Sequence, residues 1–351
     1  MGVSLAPRPL IFVCLSISLS ISLSLCFSCS ERVGVMVTMG PGTMGGGTDG
    51  GQDSSADAGS EADASPTAPE DATAEAGPED ICRGGESYTY VIGRIDFARE
   101  MPAGVCRGFN IDGRVSDEED EATCGKADYT SPEGVVGIDN QLQTLIPLVE
   151  MLTEEDIAMA VAESIRSGDT LILIRLDHVD SFVDDDCVTF TGLWGLLPDG
   201  VMAPMVDAMG GLTAGQTFDV DGRSYDEMMR PLIRVDEAEI RAGTVVADGF
   251  AMTLPISAGA TGTVPLTIRD ARLRLGVSPD GLSGGLLGGM VRVSEFSPAL
   301  SGLYPTLTPA SISVLISPSA DLEMAGRRCG AISLALELEG VSARLGVVPA
   351  R

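Results

Sequence analysis

Residues 109–118, FNIDGRVSDE, recur at 218–227 as FDVDGRSYDE, with six identities in ten positions. Oxygen-bearing side chains at alternate positions before a glycine are what a hard cation needs, because calcium takes six to eight oxygens in a flexible shell. On that chemistry Asn110, Asp112, Asp117 and Glu119 are the candidate calcium ligands, and Asp128 and Asp139 stand close enough in sequence to complete a shell. The competing reading is a recurring turn, since Asp-Gly supplies the positive φ of a tight hairpin. Asp184, Asp185 and Asp186 form a third acidic cluster, and His178, the one histidine of the chain, lies just before it. A Ser-His-Asp or Cys-His mechanism has only that imidazole to use, and no GxSxG turn accompanies it. A carboxylate pair can hydrolyse a glycoside, but one Trp, five Tyr and nine Phe leave few rings to stack a sugar. The glycine-rich stretch 281–289 lacks the spacing of a phosphate or dinucleotide loop and reads as close backbone packing.

With Asn110, Asp112 and Gly113 set at loop positions three, five and six, Glu119 falls at twelve, and the first copy resembles an EF-hand loop. Gly108 stands at position one without a side-chain oxygen, and the Pro and Gly of the preceding segment make a poor incoming helix. The second copy has Met228 at position twelve.

The elements that must position these residues are mostly strands. Tyr88–Phe97 is aromatic and β-branched, and from Thr170 the apolar period is two, giving strands at 171–179 and 188–193 around the acidic turn. Alternation resumes at Phe250, Leu266 and Ala271, slipping phase at Asp270–Ala271, and again from Ile332, slipping at Gly340; such slips mark bulges. Between these runs, residues 139–167 read as two amphipathic helices, the first opened by Asn140 and the second by Thr153 with Asp156, with Gly168 past its end. One apolar face per strand predicts a mainly β domain, an antiparallel β-sandwich with an inserted helical pair. An outer-membrane barrel needs aromatic girdles that this composition does not supply.

The N-terminus speaks of compartment. Residues 10–28 are uncharged and apolar with interspersed serines, behind Arg8, as in an export signal. Ser28 and Cys26 are small residues before Cys29, so the cut resembles a bacterial lipobox with Cys29 as the acylated residue. Ser30 after it resembles outer-membrane sorting. Residues 29–80 hold ten acids from Asp49 to Asp80 and, between Arg32 and Arg83, no basic residue; such a tract cannot bury apolar surface and reads as a disordered tether. A signal peptide at 1–28, a tether at 29–80 and a globular domain at 81–351 are similar to the layout of surface lipoproteins of myxobacterial type. The resemblance implies an outer-membrane or cell-surface location, with a periplasmic or secreted product as the alternative.

Setting aside eleven acids and two basic residues before position 81 leaves 40 acids against 20 basic residues, a net charge of −20. Nucleic acid is excluded as a partner, because phosphate contacts draw on Lys and Arg; a membrane reached through the N-terminal lipid and a cation or an envelope or extracellular ligand fit better. Five cysteines lie beyond the tether, at 82, 106, 124, 187 and 329, so an oxidising compartment leaves one thiol over. The expected pair is Cys124 with Cys187. The composite expectation is a non-catalytic binding or structural domain. A carbohydrate-active hydrolase and a periplasmic lipid carrier are the alternatives, and calcium is the one cofactor suggested.

Overall fold

In a computed structural model of the chain, residues 82–102, 104–119, 124–153, 156–257, 263–303, 306–324 and 328–349 are described. The export signal, Cys29 and the tether lie outside them. The alternating segments form β1 (Glu86–Phe97), β4 (Ile172–Val179), β5 (Asp185–Leu196), β7 (Ile233–Arg241), β8 (Thr244–Ser257), β9 (Thr263–Ser278), β10 (Gly281–Arg292) and β12 (Arg328–Leu345). A small hairpin, β2 (Tyr129–Thr130) with β3 (Val136–Ile138), and the helices α1 (Leu142–Thr153) and α2 (Ile157–Ser167) follow β1. Short strand β6 (Gln216–Val220) follows β5, while α3 (Val293–Leu303), α4 (Pro309–Ile316) and β11 (Leu322–Met324) precede β12.

The fold is mainly β, but the sandwich expected from the sequence is corrected to a barrel. Each wall strand pairs antiparallel with the next in the order β1, β4, β5, β7, β8, β9, β10, β12, and β12 returns to β1 with Tyr90 opposite Ser342. Two packed sheets and one closed sheet demand the same thing of each strand, one apolar face, so alternation alone does not separate them. Eight strands leave a lumen just wide enough for side chains to fill. All eight contribute, among them Ile92, Ile174, Phe190, Phe250, Leu273 and Leu287, around a residual apolar cavity of about 20 Å³. A void of that size with no polar wall stays dry.

The bulges fall where the phase slips. Asp270 takes φ 47° beside a register shift between β9 and its neighbours, and Gly340 sits at the shifts that β12 makes against β1 and β10. The close packing expected of the glycine-rich strand is found at Gly288, where a Cβ would stand 2.3 Å from the ring of Phe109.

A meander of antiparallel strands gives the barrel two unlike rims. On one rim the links are short: 180–184, the two-residue turn Ala242–Gly243 with both φ positive, and 279–280. The long connections 98–171, 197–232 and 293–327, with all four helices, leave from the other. The helices dock separately, α1 on β12 and α2 on β1 and β8, and bury Leu145, Ile146 and Ile165 in the same core as the lumen. Of the expected pair Thr153 and Asp156, Thr153 ends α1 and Asp156 alone caps α2, accepting the Met159 amide at 3.0 Å, and Gly168 ends it at φ 85°. Asn140 does not cap α1; its amide donates to the Ala98 carbonyl at 2.8 Å and its oxygen accepts the Ala335 amide at 3.1 Å. It fastens the first insertion to β12.

The rims also decide the disulfides. Cys82 pairs with Cys187 and Cys124 with Cys329, which corrects the expected Cys124–Cys187 pair. Cys82 and Cys187 both lie toward the short-turn rim, before β1 and near the start of β5. Cys124, in the first insertion, lies with the start of β12 at the opposite rim, so a Cys124–Cys187 bond would have to span the barrel. Cys106 is the thiol left over and is buried. The two bonds close loops of 105 and 205 residues, long enough that losing one costs about 2–5 kcal/mol. The double variant Cys82→Ser/Cys187→Ser is expected to unfold at correspondingly lower urea concentration, read by equilibrium denaturation against the parent protein.

Candidate functional site

The outer wall is where polar side chains gather. On β4, β5 and β7 the residues between the lumen-facing Ile174, Phe190 and Ile233 are Arg175 and Asp177, Thr189 and Thr191, and Arg234. Register sets Arg175 opposite Thr191 and Thr191 opposite Arg234, so the two arginines flank one threonine across three adjacent strands. These residues line a cleft of about 280 Å³ together with Ser87, His178, Tyr225 and Pro231.

Its outer wall is the loop after β6. Asp221 caps a single 3₁₀ turn over Gly222–Ser224, and its amide donates to the Trp194 carbonyl at 2.9 Å. The Ser224 hydroxyl accepts the Trp194 amide at 2.8 Å, and Arg223 stacks 5.2 Å from the Trp194 ring. Tyr225 then bridges to Pro231 and both face the cleft. The loop covers the floor so well that Thr189 is 1% and Thr191 4% exposed, with both side chains still lining the cleft. Burial raises the Tyr225 phenol, with Arg175 opposing.

One end of the cleft depends on a bulge. Glu86 pairs with Val179 but Tyr88 with Leu176, so β4 carries an extra residue there, and His178 takes φ 66°. The bulge presses on Gly85, where an added Cβ would stand 2.3 Å from the His178 carbonyl carbon with φ at 65°. Bulges re-aim side chains, and this one turns His178 to the cleft, while Asp177 reaches the floor by the regular alternation it shares with Arg175. Its Oδ1 accepts Ser87 Oγ at 2.5 Å, Arg175 Nε at 2.8 Å and Arg175 Nη2 at 2.7 Å. His178 Nδ1 lies 3.0 Å from the Gly84 carbonyl. Serine and histidine are therefore each held by other partners, and no nucleophile–base pair forms between them.

The predicted calcium ligands are placed otherwise. Asp112 Oδ1 accepts the Arg114 amide at 2.8 Å, and Asp117 Oδ1 the Glu119 amide at 2.9 Å, each capping its own turn, with Asp117 and Glu119 exposed. Asn110 donates to the Arg114 carbonyl at 2.7 Å, and its Oδ1 is buried without a partner. Among the described residues no three His, Cys, Asp or Glu side chains are grouped to hold a metal. The second copy of the repeat makes β6 and the 3₁₀ turn, not a hairpin.

Behind the first copy lies a pocket of carboxyls that docks the first insertion to the barrel. Asp139 Oδ2 accepts the Ile111 amide at 2.6 Å, and Asp139 hydrogen-bonds to Asp128. Asp321 accepts the Ser333 amide at 2.8 Å and its hydroxyl as well, while Ser333 Oγ takes the Gln141 amide at 2.8 Å. Burial pushes Asp139 up to about 8, and the neighbouring Asp112, Asp128 and Asp321 add to it. Burial likewise lifts Asp321 to about 7. The acidic run before β5 is a turn device: Asp185 Oδ2 accepts the Asp180 amide at 2.7 Å and Asp184 Oδ1 the Ala242 amide at 3.1 Å.

The two cleft arginines escape a reading of the sequence that looks for acids and histidine. A signal existed: Arg-aliphatic-Asp occurs at 94–96, 175–177 and 234–236. In all three the arginine bonds to the aspartate two residues on, along one outward strand face.

Two outcomes follow from this geometry. Gly85→Ala is expected to lower stability by about 1–3 kcal/mol, since positive φ and a backbone clash coincide; a melt unchanged from the parent would show that the bulge yields freely. For Asp139 and Asp321 the folded state holds protons that the unfolded chain has lost above about pH 4, so stability falls as pH rises through the interval up to about 8. Melting temperature is expected to drop over that range, and Asp139→Asn to flatten the drop. No protein-family model, curated protein or solved structure matches the chain.

Proposed function

We propose that the chain is an exported protein, tethered to a membrane by lipid on Cys29, whose barrel binds a small polar ligand on its outer wall without transforming it. One observation carries the binding reading: the outer wall bears a cleft of about 280 Å³ onto which polar and charged side chains from three adjacent strands converge, among them Arg175, Asp177, Thr189, Thr191 and Arg234. Polar groups that converge on one concave site are what orient a small polar ligand. Two disulfides support an oxidising compartment, consistent with the outer membrane or cell surface.

The rival readings draw less support. A lipid carrier needs room for an acyl chain, and the lumen leaves about 20 Å³. A carboxylate-pair hydrolase needs two carboxyls facing each other across an accessible gap. The cleft is lined by a single carboxylate, Asp177, and that group is occupied by Ser87 and Arg175.

Equilibrium dialysis of the purified protein against a mixture of small polar metabolites tests the reading. A compound retained by the protein and recovered chemically intact is the expected result. Release of cleavage products at a rate that Asp177→Asn abolishes would replace binding with hydrolysis. For the tether, Cys29→Ala is expected to move the protein from the membrane pellet to the supernatant, and equal partitioning would remove the lipid anchor.

A further inference from the structure

We infer that residues 202–209 form a thioether site for a soft monovalent cation of the Cu(I) class, held by Met202, Met205 and Met209. The site is separate from the cleft, and its fate leaves the reading of the cleft untouched.

Methionine is ordinarily a core residue. Here Met202 is 90%, Met205 61% and Met209 94% exposed, and Met202 and Met209 are the most exposed large apolar side chains among the described residues. The core gains nothing from apolar groups left in water, so three of them within eight residues ask for a use of their own. Six of the fifteen methionines fall in two short windows, 36–44 and 202–209, and both windows open with Met-x-x-Met.

The backbone beneath the second group is fixed. Residues 205–213 make a hairpin, in which the Thr213 amide donates to the Met205 carbonyl at 3.0 Å and the Asp207 amide to the Gly211 carbonyl at 2.8 Å. Its tip is the turn Asp207–Gly210, with Gly210 at φ 82° and Asp207 Oδ1 accepting the Met209 and Gly211 amides at 2.8 and 3.0 Å. Gln216 grips the base: its Oε1 accepts the Met205 amide at 2.6 Å and its Nε2 donates to the Met205 carbonyl at 2.9 Å. Leu212 is buried against β1, 3.6 Å from where a Cβ on Gly93 would stand. Val206 pairs with Leu212 on that inner face, so Met205 projects from the outer one.

Met202 and Met205 are three residues apart and Met205 and Met209 four, so their anchors stand at most about 10 and 14 Å from each other. Unbranched side chains with three rotatable bonds each can bring their sulfurs from such anchors to one ion. Thioethers are soft, uncharged donors that select Cu(I) over hard cations. The other soft donor is spent, since Cys82, Cys124, Cys187 and Cys329 are in disulfides and Cys106 is buried. The surplus of acids in the domain draws cations to its surface. Harder ions have less to hold them, because among the described residues no three His, Cys, Asp or Glu side chains are grouped for a metal. A protein partner fits less well, as residues 201–212 contain none of the aromatic or arginine anchors that carry interface energy.

Carbon-13 spectra of the methionine methyl groups, followed as the purified protein is titrated with Ag(I), test this. Silver is a redox-stable stand-in for Cu(I), and Zn(II) serves as the harder control. The signals of Met202, Met205 and Met209, each assigned by its own leucine substitution, are expected to shift together with a single midpoint, and Zn(II) to move none of them. The triple variant Met202→Leu/Met205→Leu/Met209→Leu keeps apolar side chains of similar size. It is expected to take up one Ag(I) fewer than the parent in native mass spectrometry, at an unchanged melting temperature. Three signals that stay fixed under Ag(I), or that shift at separate midpoints, would overturn the site. Undiminished uptake by the triple variant, or equal shifts with Zn(II), would overturn it as well. Should the triple variant not fold, the parent spectra decide alone.

Discussion

Pairing of β12 with β1 turns a meander into a closed wall, and the arrangement of polar chemistry follows from that closure. A closed eight-stranded sheet has no edge to satisfy and a lumen that side chains fill. Once Ile, Leu and Phe from every strand occupy that lumen, the opposite face of each strand must hold everything polar. Arginine, aspartate and threonine are thus displayed outward by the same period of two that drives the core inward. This is the inverse of a lipid-embedded barrel, whose apolar band faces out.

An outward display is exposed to water and makes no site unless something covers it. The connection from β5 to β7 does so, because it leaves from the rim of long insertions and folds back over its own flanking strands. Trp194 near the end of β5 is where it is pinned, by Asp221, Ser224 and Arg223 together. At the other end, the bulge of β4 against Gly85 turns His178 to the cleft. Local loop chemistry therefore converts a flat strand face into a cleft, while the barrel supplies the spacing of its charged row.

Much of this was legible in the sequence. Period-two runs located the strands that start at 86, 172 and 185 to within three residues, and the slips at Asp270 and Gly340 located two irregularities of register. Asp156 and Gly168 marked the ends of α2 because capping is a local interaction. What failed was non-local. Alternation cannot say whether the last strand returns to the first, so a sandwich and a barrel read alike. Cysteine spacing cannot say which rim a residue occupies, so Cys187 was given the wrong partner. The cleft row joins residues 175, 191 and 234 through register alone, and no window along the chain contains all three.

The carboxyl pocket shows how the same non-locality changes the meaning of an acid. In sequence Asp112, Asp128 and Asp139 resemble ligands awaiting a cation. In the fold Asp139 is packed against the barrel between Phe109, Ile111 and β12, and meets backbone amides and other carboxyls instead of bulk water. Burial of an acid among acids favours the protonated form, and a protonated carboxyl can donate to a neighbouring carboxylate. The pocket then needs no metal to be neutral: shared protons do the work that a bound cation would do in an open loop. That difference separates it from the cleft, where Arg175 pairs with Asp177 and Arg234 with Asp236. One cluster settles its electrostatics through shared protons and serves to dock an insertion; the other settles them through ion pairs that run along each strand.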